Sequence, residues 1–117
     1  MFQTRLLYAG ENRLTTTRLA VLDLPEGNAM RAPGHWNTYD IVFHRPRFNS
    51  DGSVAQPGRV TVIHNGVLVQ DNVALWGQTV HMAIGTYKAH ADRLPLMLQD
   101  HGHPVRYRNI WLRELPD

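Results

Sequence analysis

Residues 98 to 115, LQDHGHPVRYRNIWLREL, set two histidines, three arginines, an Asp, an Asn and a Gln among apolar neighbours. On an extended chain Gln99 and His101 share one side, and a turn through Gly102-His103-Pro104 can fold Arg106 or Arg108 back beside them. An imidazole, an amide and a guanidinium in one place can move a proton and polarise a substrate oxygen. Imidazole titrates near neutral pH, and guanidinium stabilises developing negative charge. Half of any antiparallel strand is polar, however, so the same residues also suit the solvated side of a sheet.

Other chemistries find less support. There is no cysteine, hence no disulfide framework, thiol nucleophile or thiolate metal site. His35, His44, His81, His90 and His103 lack metal-ligand spacing such as HExxH, so no metal site and no cofactor are indicated. The only serines, Ser50 and Ser53, flank an Asp-Gly turn, which argues against a Ser-His-Asp triad. Asp40 and Asp100 could supply paired carboxylates, but nothing in their spacing singles them out. His64 either lines a binding face or caps a hairpin. Among the tryptophans, Trp111 reads as core because it lies mid-strand, whereas Trp76 sits in a glycine-flanked loop and suits a carbohydrate platform.

Net charge is +2, and with a single lysine, Lys88, the basic side chains are nearly all arginine. That composition favours fixed, bidentate contacts to carboxylate or hydroxyl-rich groups over a diffuse phosphate-attracting field. No basic run occurs, so a nucleic-acid partner is not expected. No apolar stretch is long enough to span a bilayer, and MFQTRLLYAG has no signal-peptide core, so as written the chain reads as cytoplasmic.

The elements that must position these residues are strands. At 117 residues one domain is expected. Residues 1–27 carry weak signals, with a strand expected from Thr15 to Leu22. In WNTYDIVFH, Asn37, Tyr39, Ile41 and Phe43 alternate with Thr38, Asp40, Val42 and His44, which predicts a strand that Pro46 ends. Asp51-Gly52 marks a turn. Asn65-Gly66 joins two further strands, with Val60, Val62 and His64 on one face and Thr61 and Ile63 on the other. Residues 73–95 read as a long loop. A strand is expected from Leu96 to His101, and a last one from Val105 in which Val105, Tyr107, Asn109 and Trp111 oppose Arg106, Arg108, Ile110 and Leu112. No long helix is evident, so the class is all-β with antiparallel pairing.

Three segments in order, NAMRAPGHWNTYDIVFHRPRF, GRVTVIHNGVLVQDN and LMLQDHGHPVRYRNIWLREL, resemble the C-terminal part of the 3-keto-disaccharide hydrolase domain family. The resemblance spans about Asn28 to Leu115. It divides the chain into residues 1–27, poorly matched, and residues 28–117. It implies a concanavalin A-like lectin/glucanase fold, a jelly-roll β-sandwich, and cleavage of 3-keto-glycosides. Among the matching positions it implies His101 as base or acid and Arg108 or Arg106 at the oxyanion, with Gln99, Asn109 and His64 binding hydroxyls. Members of the family are longer and often exported, so this chain resembles a shortened, incomplete member. A half-sandwich would expose an apolar sheet face, and self-association is expected on that ground. Two readings stay open: a 3-keto-glycoside-cleaving enzyme, or a non-catalytic carbohydrate-binding remnant of the same sandwich.

Overall fold

A computed structural model describes residues 2–10, 29–78, 80, 82–98, 102 and 104–115, with residues 2–10 described by their backbone alone. Every regular element among them is a strand. In chain order these are β1 (Phe2–Gly10), β2 (Asn37–His44), β3 (Arg47–Phe48), β4 (Val54–Gln56), β5 (Arg59–His64), β6 (Val67–Ala74) and β7 (Val105–Glu114). Five form one antiparallel sheet in the order β6-β5-β2-β1-β7, and β3 and β4 pair as a small ribbon. The fold is all-β, of the antiparallel sandwich class.

β2, β5 and β6 form where alternation places them. β5 buries Val60, Val62 and His64 and leaves Arg59, Thr61 and Ile63 half-exposed, the period-2 pattern of a strand with one face on a core. Its hairpin to β6 turns through Asn65 at φ +50° and Gly66 at φ +84°. Two successive left-handed residues are what a two-residue hairpin loop requires, and Asn-Gly tolerates them best. The core is small: Val60, Val62 and Val69, with Ala29, Tyr39, Ile41 and Leu75 packed against it.

β1 has no counterpart in the strand reading of the sequence, yet it lies between β2 and β7. Its register pairs Leu6 with Tyr39 and Tyr8 with Asn37 on one side of the sheet, and Arg5 with Asp40 on the other. The alternation Phe2, Thr4, Leu6, Tyr8 against Gln3, Arg5, Leu7, Ala9 was the available signal. The strand expected from Thr15 to Leu22 lies outside the described residues. Leu96, Met97 and Leu98 are exposed and belong to no strand, so the strand expected from Leu96 is not found over those three; Gln99, Asp100 and His101 lie outside the described residues.

Candidate functional site

Strand registers sort the polar residues onto two faces. Leu7 of β1 pairs with Thr38 and with Arg108, Ala9 pairs with Arg106, and Arg5 pairs with Asp40 and with Trp111. Thr38, Asp40, Arg106, Arg108 and Trp111 therefore occupy one face, called here the polar face. Tyr39 pairs with His64 on the opposite, core face.

Arg106 and Arg108 are thus brought together, both exposed on the edge strand β7. The Arg108 guanidinium lies 3.8 Å from the centroid of the Trp36 ring. Stacking on an indole holds a guanidinium flat and leaves its N–H fork free at the edge. Trp36 is itself tethered, since its carbonyl accepts a hydrogen bond from Arg31 NH1 at 3.0 Å. Half-buried Asp40 lies in the row that continues through Arg5 to Trp111.

Asn109, expected to bind hydroxyls, has a structural job: it stands at φ +53° where the β1–β7 register shifts between Arg5 and Leu7. Asn109 and Ile110 together oppose the single residue Leu6, which makes a β-bulge. The bulge moves every later residue of β7 to the other face. Trp111, read from the sequence as core, is 40% exposed on the face of Arg108, and Leu112 joins Tyr107 instead.

His64 does not join the arginines. It is 5% exposed, with its ring stacked on Tyr39 at 4.4 Å between centroids and 21° between planes, and its Nε2 has no hydrogen-bond partner among the described residues. Val60 and Val62 point the same way, which is why the alternation buries it. Burial pushes its pKa below the ordinary histidine range, and the Arg31 charge adds to this. A histidine whose folded pKa is depressed binds its proton more weakly in the native state than in the unfolded chain. Stability should therefore be full above about pH 6.5 and fall as pH drops through the depressed folded value, with a slope of up to about 1.4 kcal/mol per pH unit. Chemical denaturation of the native chain and of His64→Gln between pH 7.5 and 5 checks this. An equal acid loss in both would clear His64 of the role.

Beside His64 lies a fully buried amide, Asn37. Its Oδ1 accepts from Arg31 N at 3.0 Å and from Asn65 Nδ2 at 2.8 Å, and its Nδ2 donates to His35 O at 3.2 Å. Asn65 Oδ1 accepts from Thr38 N at 2.9 Å, and Asn65 Nδ2 also donates to Ala29 O at 2.7 Å. This network ties segment 29–36 to the β5–β6 hairpin and so fixes the base of Trp36. A buried amide that satisfies its neighbours in this way specifies one arrangement.

Trp76 is 45% exposed but follows β6, at the edge of the sheet opposite β7. Four strand spacings separate those edges, about 19 Å. Gln99 and His101 lie outside the described residues. Among the described residues no group of three metal-ligating side chains occurs, and no helix is long and apolar enough to cross a membrane. The polar face thus offers an indole-held guanidinium, a second arginine, a carboxylate and a further indole. Such a set suits a ligand with both hydroxyls and C–H faces, as a sugar has.

A crystal structure of a candidate glycosyl hydrolase from Parabacteroides distasonis ATCC 8503 superimposes with a TM-score of 0.83 at 30% identity, covering 97% of this chain and 64% of that one. The chain therefore spans less than two thirds of that protein. The aldehyde oxidoreductase molybdenum-binding subunit PaoC of Escherichia coli, from strain K12 and from O157:H7, is 78% identical over 32 residues, 27% of this chain and 4% of each subunit. So small a share of those subunits brings neither their metal nor their reaction to this one. The family model of the 3-keto-alpha-glucoside-1,2-lyase-like domain matches residues 7–113, and the chain belongs to that family.

Proposed function

We propose that the polar face binds a 3-keto-glycoside and that the chain cleaves it by elimination. A ketone at sugar carbon 3 acidifies the hydrogen on carbon 2. A base removes that proton, the electron pair passes through the enolate, and the bond from carbon 1 to the glycosidic oxygen breaks as that oxygen takes up a proton. Water then adds across the new double bond. The enolate oxygen needs a fixed positive partner, and a guanidinium held flat on an indole supplies one with no reorganisation during reaction. That pair, Arg108 on Trp36, is the observation that carries the reading. Arg106 is its neighbour on the same face, and His101, before the Gly102 turn, takes the role of proton acceptor.

Incubating the purified chain with an aryl 3-keto-glucoside and following released aglycone tests the reading. Release that disappears in His101→Ala supports it, and no release refutes it. Binding of the sugar without release would select the second reading, a non-catalytic carbohydrate-binding module.

Self-association belongs to the same proposal. Ile84, Leu94, Leu96 and Met97 are 56% to 86% exposed, and Leu112 is 55% exposed where the core face runs out at β7. Apolar exposure beside β7, which ends the sheet among the described residues, invites a second copy. Light scattering coupled to size exclusion should give about twice the 13.4 kDa chain mass at micromolar concentration. A monomer across that range would refute it.

A further inference from the structure

One short segment joins the core face of the sheet to the polar face. Arg31 donates its backbone N–H to the buried Asn37 Oδ1 at 3.0 Å and its NH1 to the Trp36 carbonyl at 3.0 Å. Trp36 in turn carries the Arg108 guanidinium 3.8 Å from its ring centroid. Asn37 Oδ1 also accepts from Asn65 Nδ2 at 2.8 Å, and Asn65 follows His64 directly in the chain. His64 on β5 is therefore linked to Arg108 on β7 by an unbroken run through Asn65, Asn37, Arg31 and Trp36. Its ring is enclosed and stacked on Tyr39, and the Arg31 charge acts on it directly.

We propose that His64 is a proton-operated switch on the polar face: when its ring takes up a proton, like-charge repulsion drives Arg31 from the Trp36 carbonyl and Arg108 loses its flat support. The inference rests on the reading of Arg108 as a ligand-binding group, and it names how that site is regulated. An imidazolium in an enclosed place is poorly solvated, and it repels a neighbouring cation more strongly than it would in water. Of the two, Arg31 is the one that yields, because it is exposed, whereas His64 is fixed by the β2–β5 ladder and by its stack on Tyr39. Burial opposes proton uptake, so the switch turns below the ordinary histidine range; above that range the ring is neutral and the site is assembled. Around His64, β2 contributes the Tyr39 ring, β6 contributes Val67 opposite it in register, and the 29–36 segment contributes Arg31. Asp40 lies on the other face of β2, and His35 is exposed on the same segment as Arg31. By linkage, a ligand held by Arg108 favours neutral His64, so binding expels a proton near the midpoint.

The Trp36 indole N–H resonance, assigned with Trp36→Phe, reports the switch in the full chain between pH 7.5 and 5. It should move with one midpoint below about pH 6.5, shared with the His64 ring protons, while the rest of the spectrum stays folded. His64→Gln should hold it still, His35→Gln should leave the movement intact, and Arg31→Gln should leave His64 titrating but uncouple Trp36 from it. Movement that survives in His64→Gln or Arg31→Gln, no movement in the native chain, or movement only as the whole folded spectrum is lost would overturn the proposal. Affinity for methyl 3-keto-glucoside, measured by calorimetry, should fall by up to about tenfold per pH unit below the midpoint in the native chain and by less in His64→Gln. An equal fall in both would also overturn it. A switching Trp36 resonance in a chain that binds no sugar would leave the switch standing and remove the carbohydrate reading instead.

Discussion

Arg108→Ala is expected to lower turnover of a 3-keto-glucoside by about 10²–10³-fold, the loss seen when one preorganised donor to a developing oxyanion is removed. Arg108 is exposed on an edge strand, so its contribution to stability is that of a surface cation–π pair, about 0.5–1 kcal/mol. The two quantities separate cleanly: catalysis collapses while the thermal midpoint moves by a few degrees. Arg108→Lys should fall between, because it keeps the charge but loses the planar fork that lies on Trp36. Steady-state kinetics beside a melting curve decides the matter. A kcat within twofold of the native value would show that Arg108 binds or merely decorates.

The second large effect concerns folding. After β6 the chain crosses itself where Gly77 and Gly85 meet. A side chain at Gly85 would fall on the carbonyl of Gln78, and one at Gly77 would approach the Thr86 carbonyl carbon at 2.6 Å. Backbone cannot swing aside as the end of a side chain can. Gly85→Ala should therefore cost at least the ~1–3 kcal/mol typical of overpacking, a large part of the ~5–15 kcal/mol that holds a domain folded. Gly66→Ala is the control, since Gly66 has φ +84° with nothing within 4 Å, so only backbone strain is added. It should cost about 1–2 kcal/mol. Urea midpoints compare them, and equal shifts would mean that the crossing yields easily.

These two expectations differ in how far the sequence foretells them. Asn65-Gly66 and the alternation in β2 and β5 are legible because both are local, and each strand keeps its face to its end. Arg106 and Arg108 on one side of β7 follow from period 2 alone. Trp111 does not, because the Asn109 bulge adds one residue, and nothing in RNIW distinguishes an Asn on the ladder from an Asn in the left-handed region. His64 shows the reverse. Its burial was written in its alignment with Val60 and Val62, whereas its place before the turn left a binding face open and the family resemblance added a ligand contact. β1 was missed because its polar face carries Leu7 and Ala9 and its core face Thr4, which blurs the pattern. Trp36 as the support of Arg108 needs the register of three strands at once, which no short window contains.

The Tyr87 hydroxyl accepts from Gly58 N at 2.8 Å and donates to Leu75 O at 2.7 Å, while Leu75 N donates to Gly58 O at 2.8 Å. One phenol thus closes a ring of contacts across the start of β5 and the end of β6. Nearby, Phe48 meets both Tyr87 and His90 edge-on, and Arg45 pairs with Asp92 at 2.6 Å. The consequence is kinetic: the stretch from Tyr87 to Asp92 cannot peel away without opening that end of the hairpin. Deuterium should enter the Gly58 and Leu75 amides at one common rate, set by the lifetime of this single rivet.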